Sequence, residues 1–226
     1  QDAQLPATPH PTKPKGKTTW HGSGEFMKYH RWGKNPNEDP AFALEVRKHY
    51  AACVSYADAQ VGKIIAQLNK LGLAENTVII VWGDHGWHLG EHAIWGKHAL
   101  FEESLRSPLV IVSPKVSKPG KATSEVVESI DLFPTLCDLT GLKKPAFLHG
   151  SSLVPLLKDP AAKSKGIAIS YAPKGRTVRT ATHRLIQHKN GFLELYDHRT
   201  PEGETVNLAE SHKDLAATLV QKLEKR

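Results

Sequence analysis

The segment "VIIVWGDHGWHLGEH", residues 78–92, joins an apolar run to a group of ligand-type side chains. Its first five residues, 78–82, are bulky and have strong β preference, which predicts a strand buried on both faces. Asp84 and His85 follow at the carboxyl end of that strand, where ligands bind in open α/β sheets. Three glycines in the segment allow a tight backbone around them. The segment therefore predicts a functional loop at the edge of a buried sheet.

Helix and strand signals alternate on both sides of this segment. Apolar positions recur every three or four residues after Asp39, which predicts a long amphipathic helix that ends at Gly72. The run "PLVIV", residues 108–112, predicts a second central strand, and "SIDLFPTLCDLTGL", residues 129–142, predicts a short helix. This order of elements is typical of an α/β sheet covered on both faces by helices.

The pattern changes near Asp159, where short β-rich runs begin. The Asn190-Gly191 pair between two such runs predicts a hairpin with a type I′ turn. The last residues predict a helix with Ser211 as its N-cap and one apolar stripe packed on the sheet, formed by Leu215, Leu219 and Leu223. We therefore predict two parts, a larger α/β domain over 1–158 and a small α+β subdomain over 159–226.

Composition restricts the partners that the chain can have. Lys and Arg exceed Asp and Glu by seven, which favours an anionic partner without identifying it. No aromatic-rich RNA motif or zinc-finger spacing is present, so we do not expect nucleic-acid binding. The sequence shows no signal-peptide pattern and no run of apolar residues long enough for a membrane span. Residues 1–17, rich in Pro and Lys, predict a loop.

Asp84 and His85 combine a hard carboxylate oxygen with an imidazole nitrogen, a pair suited to a divalent ion. Two ligands are too few for a stable site, so further ligands must come from elsewhere in the fold. The structural alternative is that Asp84 caps the next turn and His85 is a hydrogen-bonded core histidine. Lys97, a dozen residues on, favours the functional interpretation, because a fixed cation close to a metal suits an oxyanion.

Other residues of the same segment have open interpretations. Trp87 and Trp95 line a substrate cleft or cover the core. Arg106 is expected to be a structural ion-pair partner, because it precedes a strand at the edge opposite the functional loop. A zinc site among the histidines is disfavoured because the HExxH spacing is absent. These histidines are His85, His88, His92 and His98.

The longer stretch "GDHGWHLGEHAIWGKHALFEESLRSPLVIV", residues 83–112, resembles the second metal-binding segment of the type I sulfatases of the alkaline-phosphatase superfamily. Its Gly-Trp-x-Leu-Gly-Glu-His motif is most similar to the corresponding motif of iduronate-2-sulfatases. Similar stretches continue, so the resemblance covers roughly residues 41–226. It implies the second half of an alkaline-phosphatase-like mixed sheet flanked by helices, followed by a small antiparallel-sheet subdomain with a terminal helix.

The resemblance also implies roles for individual residues. Asp84 and His85 would ligate a divalent ion, usually Ca²⁺, and Lys97 would contact the sulfate ester. Apart from the resemblance, the residues themselves make Trp87, His88, His98 and the loop 172–180 candidates for substrate contacts. Members of the family use a formylglycine, made from the Cys of a C-x-P-x-R motif, as the hydrated nucleophile that attacks sulfur.

The sequence departs from the family at the nucleophile. Neither Cys53 nor Cys137 stands in the C-x-P-x-R motif, and the early paired aspartates of the metal site have no counterpart. The chain is therefore expected to be the C-terminal portion of a sulfatase, inactive without an N-terminal half that acts as its partner. The resemblance implies a sulfated carbohydrate or glycosaminoglycan as substrate, and export to the periplasm, the cell exterior or the lysosome.

Two alternatives stay open at this point. Phosphonate and phosphodiester hydrolases of the same superfamily carry a similar Asp-His-Gly segment. A non-catalytic chain that only binds anionic glycans through its excess of Lys and Arg would also fit the composition.

Overall fold

The computed structural model describes Thr12, Pro14 and residues 21–114, 116 and 120–225. These residues form two compact units, one from 21–77 with 85–106 and the other from 78–84 with 107 onward. The loop predicted over residues 1–17 lies outside the described residues, apart from Thr12 and Pro14.

Both units combine helices with antiparallel sheets. The α-helices are α1 (Pro40–Lys70), α2 (Glu102–Leu105), α3 (Leu132–Thr140), α4 (Val154–Lys158) and α5 (Lys213–Glu224). The strands are β1 (Ile79–Trp82), β2 (His88–Leu89), β3 (Trp95–Gly96), β4 (Leu109–Val112), β5 (Ile167–Ala172), β6 (Gly175–Thr180), β7 (His183–His188) and β8 (Leu193–Asp197). β1 pairs with β4, β2 pairs with β3, and the last four strands form one sheet in chain order. No helix in the described part of the chain combines the length with the apolar composition that crossing a lipid bilayer requires.

The first unit contains the long helix that the sequence predicts. The Asp39 side chain accepts a hydrogen bond from the Phe42 backbone N–H at 3.0 Å, and Pro40 occupies the first turn, so the helix begins as expected. Gly72 follows the helix with φ +68°. Phe42 is the buried residue of α1, whereas Val54 and Ile64 of the predicted apolar stripe are 53% and 70% exposed. The helix is confirmed, but the described residues leave much of its apolar face uncovered.

The second unit begins with the strand pair of β1 and β4. The two strands are antiparallel, with Trp82 opposite Leu109. The sequence predicted that the first strand is buried on both faces, and this prediction is wrong. Several apolar side chains of β1 and β4 are exposed: Val81, Trp82, Val110 and Val112. Antiparallel pairing also sets the amino end of β4 beside the carboxyl end of β1. The argument that placed Arg106 at the opposite edge is therefore wrong.

Two buried carboxylates organise the chain around α3. The Asp131 carboxylate accepts backbone N–H groups from Ser151 at 2.7 Å and Glu128 at 2.9 Å. Glu128 in turn accepts the backbone N–H of Ile169, the third residue of β5, at 2.8 Å. These charge-assisted bonds satisfy backbone donors that would otherwise be buried without partners. The short helix predicted within residues 129–142 is confirmed as α3, and its C-cap is Gly141, which has φ +74°.

The C-terminal sheet and α5 share one apolar core. Val178, Leu185 and Leu195 of the sheet are fully buried against Leu219 and Leu223 of the helix, which are 3% and 0% exposed. The predicted stripe of the terminal helix is thus confirmed. The helix begins at Lys213 with His212 as its N-cap, so the prediction of Ser211 as the N-cap is wrong by one residue. The Ser211 hydroxyl instead donates to Leu208 O at 3.1 Å. The boundary predicted at residue 159 stays a prediction.

The β7–β8 hairpin is confirmed, but its turn type differs from the prediction. Gly191 has φ +84°, whereas Asn190 is absent from the described non-glycine residues with positive φ. A type I′ turn needs positive φ at both central residues, so this turn is of another type. The His188 backbone N–H donates to Phe192 O at 2.9 Å, and the Asn190 side chain accepts the Phe192 N–H at 3.0 Å. In this longer loop the Asn190 side chain closes the turn, so the Asn190 backbone does not need a positive φ.

Candidate functional site

The segment that follows β1 returns closely to α2 within the first unit. Gly86 donates its backbone N–H to Ser104 O at 2.8 Å. A Cβ atom on Gly86 would lie 2.0 Å from the backbone oxygen of Glu103, so only glycine fits this approach. The tight backbone predicted around the segment is present here, and it holds the start of the loop against the helix.

His85 is half-buried, and its ring is oriented by the next residue. Its Nδ1 lies 2.8 Å from the carbonyl oxygen of Gly86. Because a carbonyl oxygen only accepts, Nδ1 carries the proton of this hydrogen bond. A metal-ligating histidine uses the same arrangement, in which the second ring nitrogen donates to a carbonyl or carboxylate. The ring therefore fits a metal ligand.

Asp84 is exposed and belongs to the second unit, two residues beyond β1. The strand end is fixed by a hydrogen bond from the Gly83 N–H to Pro108 O at 3.0 Å. Among the residues that the structure describes, neither Asp84 nor His85 joins a group of three or more close metal-ligating side chains. Asp84 and His85 are thus adjacent in the chain but belong to different units, and their role as metal ligands stays a prediction.

Lys97 is held from two sides in the first unit. Its Nζ lies 3.4 Å from Glu25 Oε1 and 5.7 Å from the centre of the Trp87 ring. An ammonium group over the face of an indole is attracted by the electron-rich ring, and the carboxylate adds a second attraction. Lys97 is half-buried and is thus a positioned cation, not a freely solvated one.

His98 approaches the same carboxylate as Lys97. Its Nδ1 lies 3.0 Å from Ser23 Oγ and 3.6 Å from Glu25 Oε2. The structure therefore brings Lys97 and His98 to Glu25, a residue that the sequence analysis did not select, and places Lys97 over Trp87. No local motif marks Glu25, because its role depends on contacts with residues far along the chain.

His88 and Trp95 lie in the interior and not in a cleft. Trp95 is 3% exposed and donates its indole N–H to Asn37 Oδ1 at 2.9 Å, so it covers the core. His88 is 0% exposed, and its Nδ1 lies 3.0 Å from Ser104 Oγ. A sugar contact from His88 has no support in this geometry, because the ring is enclosed by its own unit.

Comparison with protein families identifies the chain. A family model for sulfatases matches residues 6–142. A second model, described as N-sulphoglucosamine sulphohydrolase, C-terminal, matches residues 90–226. The chain belongs to the sulfatase family. The family predicted from the segment at residues 83–112 is thereby confirmed.

Curated relatives of this sulfatase chain include carbohydrate sulfatases. The N-acetylglucosamine-6-O-sulfatase of Bacteroides thetaiotaomicron is 31% identical over 71% of the chain, and the match covers 31% of that relative. The iduronate 2-sulfatase of Homo sapiens is 34% identical over 46% of the chain, with 23% of the relative covered. The chain therefore spans about a third or less of the length of these relatives.

Solved structures agree with the family. A protein in complex with its substrate D-glucosamine-2-N,6-O-disulfate is 30% identical, with a TM-score of 0.70 over 76% of this chain and 38% of that one. The phosphonate monoester hydrolase from Silicibacter pomeroyi is 28% identical, with a TM-score of 0.75 over 81% of this chain and 41% of that one. The predicted alkaline-phosphatase-like α/β fold of this sulfatase chain is confirmed.

Proposed function

We propose that the protein to which this chain belongs hydrolyses sulfate esters of a carbohydrate, and that residues 84–98 supply part of the active site. The observation that carries this proposal is the sulfatase family match over residues 6–142, which includes that segment. The positioned cation at Lys97 supports it, because a sulfate ester presents charged oxygens to such a group.

Asp84 and His85, adjacent in the chain, are the proposed ligands of a divalent metal ion. The hydrogen bond from His85 Nδ1 to Gly86 O supports this role, because metal-ligating histidines donate their other ring N–H to such an oxygen. A bound Ca²⁺ would neutralise charge that develops on the ester oxygens without redox chemistry. The remaining ligands and the formylglycine nucleophile are proposed to lie in the N-terminal half of the protein, since this chain has no C-x-P-x-R motif.

Lys97 is proposed to bind the sulfate group, with Trp87 and His98 beside it. Glu25 restrains the ammonium group before substrate arrives, and its carboxylate repels an incoming sulfate. Binding would therefore shift Lys97 from the carboxylate toward the ester while the Trp87 ring still supports the cation. These side chains orient the anion and stabilise charge on it in the transition state.

The proposed substrate is a sulfated carbohydrate, including the glycosaminoglycan class. Support comes from the relative named as an N-acetylglucosamine-6-O-sulfatase and from the neighbour bound to a disulfated glucosamine. Export to the periplasm, the cell exterior or the lysosome is part of the proposal and rests on the resemblance of the chain to the family.

The test uses the purified full-length protein and Asp84→Ala. We expect release of inorganic sulfate from a 6-O-sulfated glucosamine, and a loss of at least about a hundredfold in turnover in the variant, as for removal of a key electrostatic group. Asp58→Ala is the matched control, because Asp58 is exposed on α1. Calcium content, measured by mass spectrometry, should fall only in the Asp84 variant. Full activity of Asp84→Ala would remove that residue from the metal site.

A second candidate function is hydrolysis of phosphonate monoesters. The structural similarity of this chain to the phosphonate monoester hydrolase, with a TM-score of 0.75, supports this second candidate. Assaying a phenyl phosphonate monoester beside the sulfated sugar separates the two candidates. Turnover of the phosphonate without any turnover of sulfate esters would overturn the sulfatase proposal.

A further inference from the structure

Three potential metal ligands, none of them Asp84 or His85, converge inside the first unit. His88 lies on β2, His92 in the turn that follows it, and Glu103 on α2, and we call these three residues the His–Glu cluster. One ligand atom from each lies within 4.8 Å of the other two. The imidazoles are 0% and 1% exposed, and the Glu103 side chain is 25% exposed. The cluster is therefore largely withdrawn from solvent.

Distances within the cluster exceed those of hydrogen bonds. His88 Nε2 lies 3.4 Å from Glu103 Oε2, and His92 Nδ1 lies 3.7 Å from the same oxygen. Hydrogen bonds between nitrogen and oxygen span about 2.7–3.2 Å. Ligand atoms bound to one tetrahedral Zn²⁺ at about 2.0–2.1 Å would instead lie about 3.3 Å apart. The His88–Glu103 separation is thus close to that around a shared ion, and the His92–Glu103 separation is somewhat longer.

His88 provides an independent indication of a ligand. Its Nε2 is buried and makes no hydrogen bond with any residue in the described part of the chain. Its Nδ1 lies 3.0 Å from Ser104 Oγ, and donation to that oxygen leaves the Nε2 lone pair facing Glu103. A polar atom enclosed in this way costs free energy unless it binds something. A cation at Nε2 would satisfy this nitrogen and would be attracted by the facing carboxylate.

We propose that the His–Glu cluster binds a divalent transition metal of the zinc class. Two imidazole nitrogens and one carboxylate oxygen suit Zn²⁺, whereas Ca²⁺ prefers a shell of six to eight oxygens. Ser104 would fix the tautomer of His88 by accepting its Nδ1 proton. The proposal does not rest on the proposed sulfatase function, because it concerns different ligands and a different class of ion.

Metal at this position would tie together both ends of the segment that carries Lys97. His92 and Glu103 flank that segment in sequence, and the backbone at His92 and Ala93 has φ +57° at both residues. Left-handed backbone at two successive non-glycine residues is costly and persists where surrounding contacts hold it. The bound metal would supply such a contact and would help to hold the segment in place.

The test is a titration of the purified full-length, tag-free and metal-depleted protein with Co²⁺ alone, followed by visible absorption. We expect the absorption of a single tetrahedral Co²⁺ with imidazole ligands, and its loss when Zn²⁺ is added in competition. Glu103→Gln and Ser104→Ala should each weaken Co²⁺ binding by at least about tenfold. Absence of a tetrahedral Co²⁺ spectrum in the unsubstituted protein would overturn the proposal, whatever the variants do.

Two controls make the result specific. Glu45→Gln removes the exposed carboxylate that lies 3.9 Å from His49 on α1, a pair of the same chemistry without enclosure, and should leave Co²⁺ binding unchanged. Asp84→Ala should also keep the spectrum, so failure of the sulfatase proposal and failure of this one are distinguishable. Loss of the Co²⁺ signal in Asp84→Ala, with retention in Glu103→Gln, would assign the ion to the other position and overturn the proposal.

Discussion

Buried histidines face carboxylates in two regions of the molecule, and the contacts differ. In the C-terminal sheet, His188 Nε2 donates to Glu194 at 2.8 Å, and the Tyr196 hydroxyl donates to the other oxygen of that carboxylate at 2.8 Å. In the His–Glu cluster, His88 and Glu103 stay 3.4 Å apart. Direct hydrogen bonds satisfy the buried charge in the sheet, so stability explains those residues. The wider spacing in the cluster agrees with the proposed metal site, so ligand binding accounts for those residues better than a direct hydrogen bond does.

The largest effect is expected for Arg184→Met, which tests whether directly paired buried charges stabilise the C-terminal sheet. Arg184 is 2% exposed and is paired with the buried Glu204, which also accepts a hydrogen bond from His198 at 3.0 Å. Removal of one partner leaves a buried carboxylate with less compensation, which costs about 3–5 kcal/mol. We expect this decrease in the free energy of unfolding, measured by urea denaturation of the full-length protein.

Arg199→Met is the matched control for that substitution. Arg199 pairs with Asp197 at 2.7 Å, but its side chain is 62% exposed. Because the Arg199 end of the pair is solvated, the interaction is partly screened, so this variant should lose less stability than Arg184→Met. Equal losses in the two variants would show that burial does not distinguish the two pairs.

The chemical half of the comparison predicts the next largest effect, at Lys97. Lys97→Ala removes the positioned cation, and we expect kcat for a sulfated sugar to fall by at least about a hundredfold, as when one preorganised oxyanion donor is lost. Steady-state kinetics of the full-length enzyme provide the measurement. Lys34→Ala is the control, because Lys34 also lies over an aromatic ring, that of Phe42 at 5.4 Å, and should change kcat less than twofold. Similar kinetics for Lys97→Ala and the unsubstituted enzyme would contradict the role given to this residue.

The smallest effect on stability is expected at Glu125, a carboxylate of the second unit that is held by hydrogen bonds. The backbone N–H of Ser164, then Lys163 and the Ser164 hydroxyl, lower the pKa of Glu125 from 4.5 to about 2. Because the folded pKa lies below that of the unfolded chain, the stabilisation is complete above about pH 4.5 and is lost as the pH falls through about 2. Glu125→Gln should therefore be less stable than the unsubstituted protein at neutral pH, with a difference that narrows in acid.

Thermal unfolding across that pH range measures this difference. Glu75→Gln, at an exposed position in the turn Ala74–Asn76, is the control and should follow the unsubstituted protein throughout. A constant difference between Glu125→Gln and the unsubstituted protein at every pH would contradict the assignment to ionisation of Glu125.

Local patterns predicted the elements whose signals lie close together in the chain. Asp39 and Gly72 mark the two ends of the long helix, and the Leu219 and Leu223 stripe predicts the buried face of α5. Such features depend on hydrogen bonds or spacing over a few residues, so sequence alone contains them. The predicted turn type at Asn190 was wrong, because turn type depends on the length of the loop. That length is set by where β7 ends and β8 begins.

The sequence predicted which residues are candidates for the site better than it predicted which residues they contact. The sequence indicated Lys97 as an anion contact, and the structure adds Glu25 and Trp87 as the groups that hold it. It suggested His88 for substrate contact, whereas the structure encloses that ring beside Glu103. Periodicity contains no information about partners distant in the chain, because those contacts form only when separate segments pack.

The sequence by itself determined the family, the long and terminal helices and the order of ligand-type residues after β1, because these depend on identity and short-range spacing. Only the tertiary structure decided that β1 and β4 are antiparallel, that Glu25 restrains Lys97 and that three ligand atoms meet in the His–Glu cluster. Each of these depends on non-local packing, where burial and charge act between residues that the chain itself keeps far apart.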